Sequence, residues 1–313
     1  MTNRQPATYA ILGDVHGHLQ LALCTLARWQ RERRQPFSAV FLCGDVGSFS
    51  EDAQLDSATR QHARDNPCEL EFLTQWSTVP QASWLGAIFR PEPQGLGLAC
   101  PVVMVHGNHE GFEHLATLYS RRRRMNDPVP LEQLPPVDTD GHIMFLPPGW
   151  RALTAEGYLI GGVGGIEPGQ RRAKYHSMAY IEDDAVQQLL LQDPVDVLLT
   201  HQGPAAVQGD HGSPTLDLLL ESHVARWWFH GHSTPIDKPV TAESTTIVPL
   251  GDLAFHRGEP GLKGWSILNI SQEGDSLETA PPSFWREIRQ RHWVRTPQGW
   301  LVHPDLVPFV DDQ

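Results

Sequence analysis

Carboxylates and imidazoles that follow glycines at the ends of short apolar runs are the chemistry-bearing residues of this sequence. The run Tyr9-Ala-Ile-Leu-Gly13 delivers Asp14 and His16. Residues two apart in an extended segment project to the same side, so this pair can face one cation. The arrangement recurs at Cys43-Gly-Asp45, His106-Gly-Asn108-His109, Thr200-His201 and His230-Gly-His232. Hard divalent cations favour oxygen ligands, whereas Mn, Fe and Zn also accept imidazole. The mixed set therefore points to a transition metal or zinc rather than calcium.

Asp45 is the natural bridge between two ions, because one carboxylate has two oxygens. Asp14 and His16 complete one side, and Asn108, His201 and His232 the other. In two-metal sites the ions sit roughly 3.5–4 Å apart, clamp the attacking and leaving oxygens, and acidify a water. Asn108 supplies a neutral oxygen and limits the anionic charge around a phosphate. His109, beside a ligand, points elsewhere; as a cation it meets a phosphoryl oxygen or protonates the leaving oxygen. Glu110 or Asp14 is expected to hold its tautomer. Singly, each motif has a plainer reading, such as a Gly-Asp turn that caps a helix. The ordered set carries the metallohydrolase reading.

The elements that must position these residues alternate. Residues 7–13 read as a buried strand, 19–35 as an amphipathic helix with Leu19, Leu23, Leu26 and Ala27 at helical spacing, and 37–43 as a strand. Residues 49–66 read as a polar excursion over the site, 69–76 as a helix and 86–98 as a loop. Strands follow at 101–105, 143–146, 158–160, 195–199 and 226–229, with helices at 112–122, 182–191 and 216–222. Residues 202–214 form a loop, and strands near 244–250 and 265–270 finish the sheets. Helix alternating with short strand implies a layered α/β protein. Residues 1–275 are read as one catalytic domain. Residues 276–313 form a Trp-rich extension whose Trp285, Trp293 and Trp300 pack back on the body.

The chain has 313 residues, long enough for a sizeable core. Its four cysteines form no close pair, which argues against a disulfide framework or thiolate zinc site. No run approaches the roughly 18 apolar residues that span a bilayer, and Met1–Pro6 is unlike a signal peptide. A cytoplasmic, soluble protein is the expectation. With 37 acidic and 24 Lys or Arg residues the formal charge is −13, which disfavours sequence-blind binding to nucleic acid or anionic membrane.

Taken together, Gly13-Asp14-Val-His16-Gly, Gly44-Asp45-Val-Gly47, Gly107-Asn108-His109-Glu110, Thr200-His201 and Gly231-His232 resemble the calcineurin-like metallophosphoesterase superfamily. The resemblance runs from about residue 7 to 255. It implies a four-layer αββα sandwich of two stacked mixed sheets flanked by helices, with the site on loops at strand ends. It also implies two divalent cations, Mn first with Fe or Zn as alternatives, and hydrolysis of a phosphomonoester or phosphodiester by metal-bound hydroxide. By match, Asp14, His16, Asp45, Asn108, His201 and His232 resemble the family's metal ligands, and His109 its substrate-facing catalytic histidine.

One departure stands out. Many members carry Gly-His-x-His, whose last histidine joins the metal of Asp14 and His16; here Thr234 occupies that place. His230 swinging in, a water, or a weak first metal would each account for it. Gly47 leads to Ser48-Phe49 without the Asp-Arg-Gly of protein serine/threonine phosphatases. Pro148-Gly-Trp150, Ile160 to Ile166, Lys174-Tyr-His176 and Thr200-His201-Gln are loosely similar to the RNA lariat-debranching branch, although Asp14 stands where debranching enzymes often carry cysteine.

Expected substrates are a phosphorylated small molecule, a nucleotide or a phosphoprotein. A debranching-related nucleic-acid phosphodiesterase and a non-catalytic scaffold that binds a protein are the alternatives. Arg171, Arg172, Lys174, Tyr175 and His176 are candidates to line the cleft, and Arg121–Arg124 reads as a solvated helix end beside the macrodipole. His18 and His211 sit on presumed site loops as supporting or surface residues.

Overall fold

The computed structural model describes residues 4–73, 84–120, 127–169, 176–232, 238–261, 263–285, 288, 294–296 and 299–301. The strands are β1 (Ala7–Leu12), β2 (Ala39–Leu42), β3 (Val102–Met104), β4 (Val129–Pro130), β5 (Ile143–Phe145), β6 (Arg151–Leu153), β7 (Leu159–Val163) and β8 (Val195–Thr200). They continue as β9 (Ala225–His230), β10 (Val240–Ala242), β11 (Thr245–Pro249), β12 (Phe255–His256), β13 (Glu259–Pro260), β14 (Trp265–Ile270) and β15 (Ser276–Glu278). One sheet has the order β15-β14-β1-β2-β3-β5, the other β10-β11-β9-β8-β7-β6-β4. Both are mixed. β1, β2, β3 and β5 run parallel, as do β7, β8, β9 and β11, while β14 and β6 enter antiparallel.

The alternation within strands shows how the layers stack. In β1, Tyr9 and Ile11 join Phe41, Val103, Val197, Leu199 and Phe229 in a core between the two sheets. Ala10 and Leu12 face the other way, into a core with Leu19, Leu23 and Leu26 of helix α1 (Leu19–Arg33). In β8 the same period sends Val197 and Leu199 inward and Leu198 toward two helices, Asp183–Leu190 and Pro214–Glu221. Each sheet is thus apolar on both faces, as parallel strands covered by helices require. The result is the expected sandwich of two sheets between helical layers.

Local departures from expectation have identifiable causes. The excursion at 49–66 contains helix α2 (Ser57–Asp65), started by Asp56, whose carboxylate accepts from the backbone N–H of Ala58 (2.8 Å) and Thr59 (2.9 Å). The 86–98 segment opens in helix α3 (Trp84–Phe89) rather than loop, because Leu85, Ile88 and Phe89 pack on the α1 core. Helix α4 covers Phe112–Ser120, and the expected positions 121 and 122 lie outside the described residues. The expected 69–76 helix begins as a 3₁₀ turn at Pro67–Leu70, and its residues 74–76 are not described. In the expected 202–214 loop, Ala205–Gln208 is a short helix. Gly161 and Gly162 lie inside β7 rather than after it, against Val195, Val105 and Leu146. The short strands β4, β6 and β10 carry too few residues for a periodic signal.

Past residue 275 the chain first adds β15 to the edge of the first sheet, paired with β14. Phe284, Trp285 and Ile288 then join the α1 core, where Trp285 meets Trp265 edge to face at 5.6 Å. Trp300 lies on a two-stranded hairpin, Val294–Thr296 with Gly299–Leu301; Trp293 is outside the described residues. Among the described residues, no helix is long and apolar enough to cross a membrane.

Candidate metal centre

Parallel strands of both sheets end at one rim, and each of five ends there supplies a singled-out residue. Asp14 follows β1, Asp45 follows β2, Asn108 and His109 follow β3, His201 follows β8 and His232 follows β9. One ligand atom each from Asp14, Asp45, His201 and His232 lies within 4.8 Å of all the others. A second group of the same kind contains Asp14, His16 and Asp252. His16 Nε2 is 4.0 Å from Asp45 Oδ2, which joins the two groups.

The surroundings of His201 decide what the cluster can hold. Its Nδ1 lies 2.9 Å from the Cys43 carbonyl, to which it donates, so Nε2 carries a lone pair. That lone pair faces the side-chain oxygen of Asn108 at 3.0 Å and Asp45 Oδ1 at 3.5 Å. Burial drives the imidazole pKa down to about 3, which keeps it neutral. Three fully buried acceptors thus converge with no proton among them. Such groups repel in a low-dielectric interior unless a cation sits between them. Carboxylate, amide oxygen and imidazole nitrogen are donors that Mn, Fe and Zn accept, so the residues present fit a divalent cation.

The carboxylates agree. Burial, then the charges of Asp45 and Asp252, push Asp14 well above the usual carboxylate range. Burial also opposes ionisation of Asp45, but His201, His109, His16 and His232 hold it well below that range. Burial lowers His232 as well. Burial thus holds the imidazoles of His201 and His232 toward their neutral forms, against the opposing pull of Asp45's charge.

Backbone geometry is strained at the same place. His16, Asp45 and His232 have φ of 41°, 45° and 47°, a left-handed conformation that costs a non-glycine residue on the order of 1–3 kcal/mol. Hydrogen bonds hold it. His16 N–H donates to the Asp45 carbonyl (2.8 Å), and His232 N–H donates to the Asp14 carboxylate (3.1 and 3.2 Å). Asp45 Oδ1 accepts from the N–H groups of Asn108 (2.7 Å) and His109 (2.8 Å). Glycine is required at 107 and 231 by close approach: a Cβ there would overlap the carboxylates of Asp45 and Asp14 respectively.

His109 is held by neither expected carboxylate. Its Nδ1 lies 2.8 Å from Asp56 Oδ2, on the residue that starts α2. Burial alone would lower its pKa, but the Asp56 bond and then Asp45's charge raise it to about 9. Glu110 instead ties two motif loops together. Its carboxylate accepts from Val46 N–H (2.9 Å), Ser48 N–H (2.9 Å), Ser48 Oγ (2.7 Å) and Gly107 N–H (3.2 Å).

His230 is not brought into either group. It is fully buried at the end of β9, with Nδ1 3.0 Å from the Gly231 carbonyl and its ring against Gly203. His18 props the first loop: its Nδ1 is 2.8 Å from the His16 carbonyl and its Nε2 is 2.7 Å from Asn66 Nδ2. His211 is exposed, and its carbonyl accepts from Gln202. His176 stacks on Phe112 with ring centroids 5.3 Å apart. Arg121–Arg124, Arg171, Arg172, Lys174, Tyr175 and Thr234 lie outside the described residues.

Two site residues escaped the sequence reading. Asp56 had a local signal as a helix start, but none that linked it to His109. Asp252 had one that was passed over, since Gly251-Asp252 closes an apolar run as Gly13-Asp14 and Gly44-Asp45 do. Beside His16 opens a cleft of about 540 Å³, lined by Asn66, Glu69, Asp252, Phe255 and His256 among others.

The chain is similar to several known proteins. A lariat debranching enzyme from Arabidopsis thaliana is 21% identical over 318 residues, spanning 90% of this chain and 68% of its own. A crystal structure of TT1561 from Thermus thermophilus superposes with a TM-score of 0.47 at 14% identity, covering 88% of this chain and 99% of that one. A dimetal phosphatase from Danio rerio superposes with a TM-score of 0.47 at 13% identity, covering 88% and 96%. A profile of the calcineurin-like phosphoesterases matches residues 7–234, and the chain belongs to that family.

Proposed function

We propose that this protein is a phosphoester hydrolase that works with two divalent cations, Mn first among them. The single observation that carries the reading is the convergence of His201 Nε2, Asn108 Oδ1 and Asp45 Oδ1 as buried acceptors that share no proton with one another. Asp14 and His16 would hold one cation, Asn108, His201 and His232 the other, and Asp45 both. Bound there, the pair would neutralise phosphate charge and acidify a water for attack on phosphorus.

The chain's own groups do the rest. With Nδ1 engaged by Asp56, a pKa near 9 keeps the His109 ring protonated at neutral pH. It can donate to the leaving oxygen as a general acid. Glu110 fixes the loops of Asp45 and Asn108 relative to one another, which holds both ligands in place before substrate arrives. The cleft beside His16 has room for a leaving group the size of a nucleoside or sugar. A phosphodiester in nucleic acid is the second reading, favoured by the similarity to a debranching enzyme over 90% of the chain. A reducing intracellular compartment accords with four buried free cysteines.

The test uses aryl phosphate mono- and diesters with the full chain, chelated and then supplied with Mn. Hydrolysis should need the metal. Asp45→Asn should lose turnover and most bound metal, whereas His109→Ala should lose turnover with metal retained. Equal metal loss in both variants would contradict the division of roles, and metal-independent inertness toward both esters would favour a scaffold.

A further inference from the structure

We infer that Asp252 is a direct ligand of the first cation and fills the place that the family gives to the histidine missing at Thr234. The inference rests on the two-metal reading above and adds to it a residue outside every family motif in the chain.

Topology gives the first argument. β11 runs parallel to β9, which runs parallel to β8, so the C-terminal ends of all three face the same rim. β8 ends in His201 and β9 in His232. β11 ends in Leu250-Gly-Asp252, the third strand in that row to deliver a metal-competent side chain there.

The backbone then fixes Asp252 against Asp14. Leu253 N–H donates to the Asp14 carbonyl (2.7 Å), Gly251 N–H to Lys263 O (3.0 Å), and Gly13 N–H to Gly264 O (2.8 Å). The first bond joins the segment after β11 directly to the segment after β1, and the other two tie each of them to residues 263 and 264, just before β14. Gly13 and Gly251 pack so closely that a Cβ on Gly13 would overlap the Gly251 carbonyl. Such lacing is more than a surface acid needs.

The side chains satisfy the spacing. Ligand atoms of Asp14, His16 and Asp252 lie within 4.8 Å of one another. Ligands about 2.0–2.2 Å from one ion are separated by roughly 3–4.4 Å, so closure by a few tenths of an ångström would complete the set. Asp252 is also 3.4 Å from His256 Nε2 through Oδ2. A carboxylate can ligate and accept such a contact together, and a partner of this kind orients the ligand.

The chemistry follows. Asp14, His16, Asp252 and the bridging Asp45 make a first site with three carboxylates and one imidazole. The second, with Asn108, His201, His232 and Asp45, has two imidazoles. The first site is therefore the harder one and should prefer Mn over Zn more strongly than the second.

The decisive measurement is metal stoichiometry and affinity on the full chain, by calorimetry and elemental analysis, with Mn as the probe. Wild type should bind two equivalents and give the spin-coupled resonance of a Mn pair. Asp252→Ala should keep one equivalent and show the six-line signal of isolated Mn. Loss of an outer-shell partner weakens metal binding about 10–100-fold, so loss of a ligand should weaken the second equivalent by more than about 100-fold. Asp252→His should restore two equivalents and shift the first site toward Zn, and His256→Ala should keep both. Chemical denaturation of the metal-free variants checks that each folds. Two wild-type-affinity Mn equivalents in Asp252→Ala, or an equal loss in His256→Ala, would overturn the assignment and leave the dimetal reading intact. No Mn binding by wild type would overturn the dimetal reading itself.

Discussion

The junction between α2 and His109 offers the sharpest mutational prediction. One Asp56 oxygen caps the helix and the other holds the His109 ring, so an amide splits the two duties. Asp56→Asn keeps an oxygen for the N–H groups of Ala58 and Thr59, and asparagine caps as well as aspartate. Its NH2 then faces Nδ1–H, donor against donor, and the ring loses both its anchor and its protonated form. The two side chains are only 19% and 27% exposed, so this is not a solvent-screened surface pair. A hydrogen bond to a charged group contributes about 1.5–3 kcal/mol, and each ~1.4 kcal/mol is tenfold in rate. Turnover of Asp56→Asn should therefore fall roughly 10- to 100-fold, with unfolding stability changed by only a few tenths of a kcal/mol. Asp56→Ala should lose the same turnover and about 1 kcal/mol of stability as well. Steady-state hydrolysis of an aryl phosphate under saturating Mn, with urea unfolding and metal content in parallel, reads all three quantities. An Asp56→Asn enzyme at wild-type rate would show that His109 needs no such anchor. One that sheds metal would place Asp56 in the metal site instead.

Two further expectations concern stability. Glu110→Ala would strand three buried backbone N–H groups and the Ser48 hydroxyl, at roughly 1–3 kcal/mol per unsatisfied group; urea unfolding should show at least about 3 kcal/mol lost, with Glu110→Gln intermediate. Glu71 is fully buried, accepts from Gln20 N–H at 2.9 Å, and burial raises its pKa to about 8. Its folded form binds the proton more tightly than its unfolded form, so its contribution is complete below the unfolded pKa and declines as pH rises toward 8. Glu71→Gln should thus gain on wild type between about pH 5 and 8, by on the order of a few kcal/mol at most. Unfolding curves at pH 5.5 and 8.5 with the same difference at both would show that Glu71 is ionised in the fold.

Much of this molecule was legible in local residue order, because the physics there is local. Apolar runs of four to six residues must be buried strands, and a glycine followed by Asp, Asn or His at each run's end marks a loop that presents a polar side chain. Asp14, His16, Asp45, Asn108, His201 and His232 were named on that ground, and the alternation of helix with short strand pointed to a layered α/β protein; the sandwich of two stacked sheets was implied by the family resemblance instead.

What chain order could not settle is which groups meet. His230 and His232 are two residues apart, as Asp14 and His16 are, yet His230 turns against Gly203 while His232 reaches the cluster. Gly231 and the left-handed backbone of His232 break the strand alternation that equal spacing assumes. Asp56 finds His109 across 53 residues, and Asp252 lies beside Asp14 because antiparallel β14 and parallel β11 bring their flanking loops to the same edge. Such pairings depend on strand order and on backbone hydrogen bonds between distant loops. Those are properties of the assembled sheets, and no window of neighbouring residues contains them.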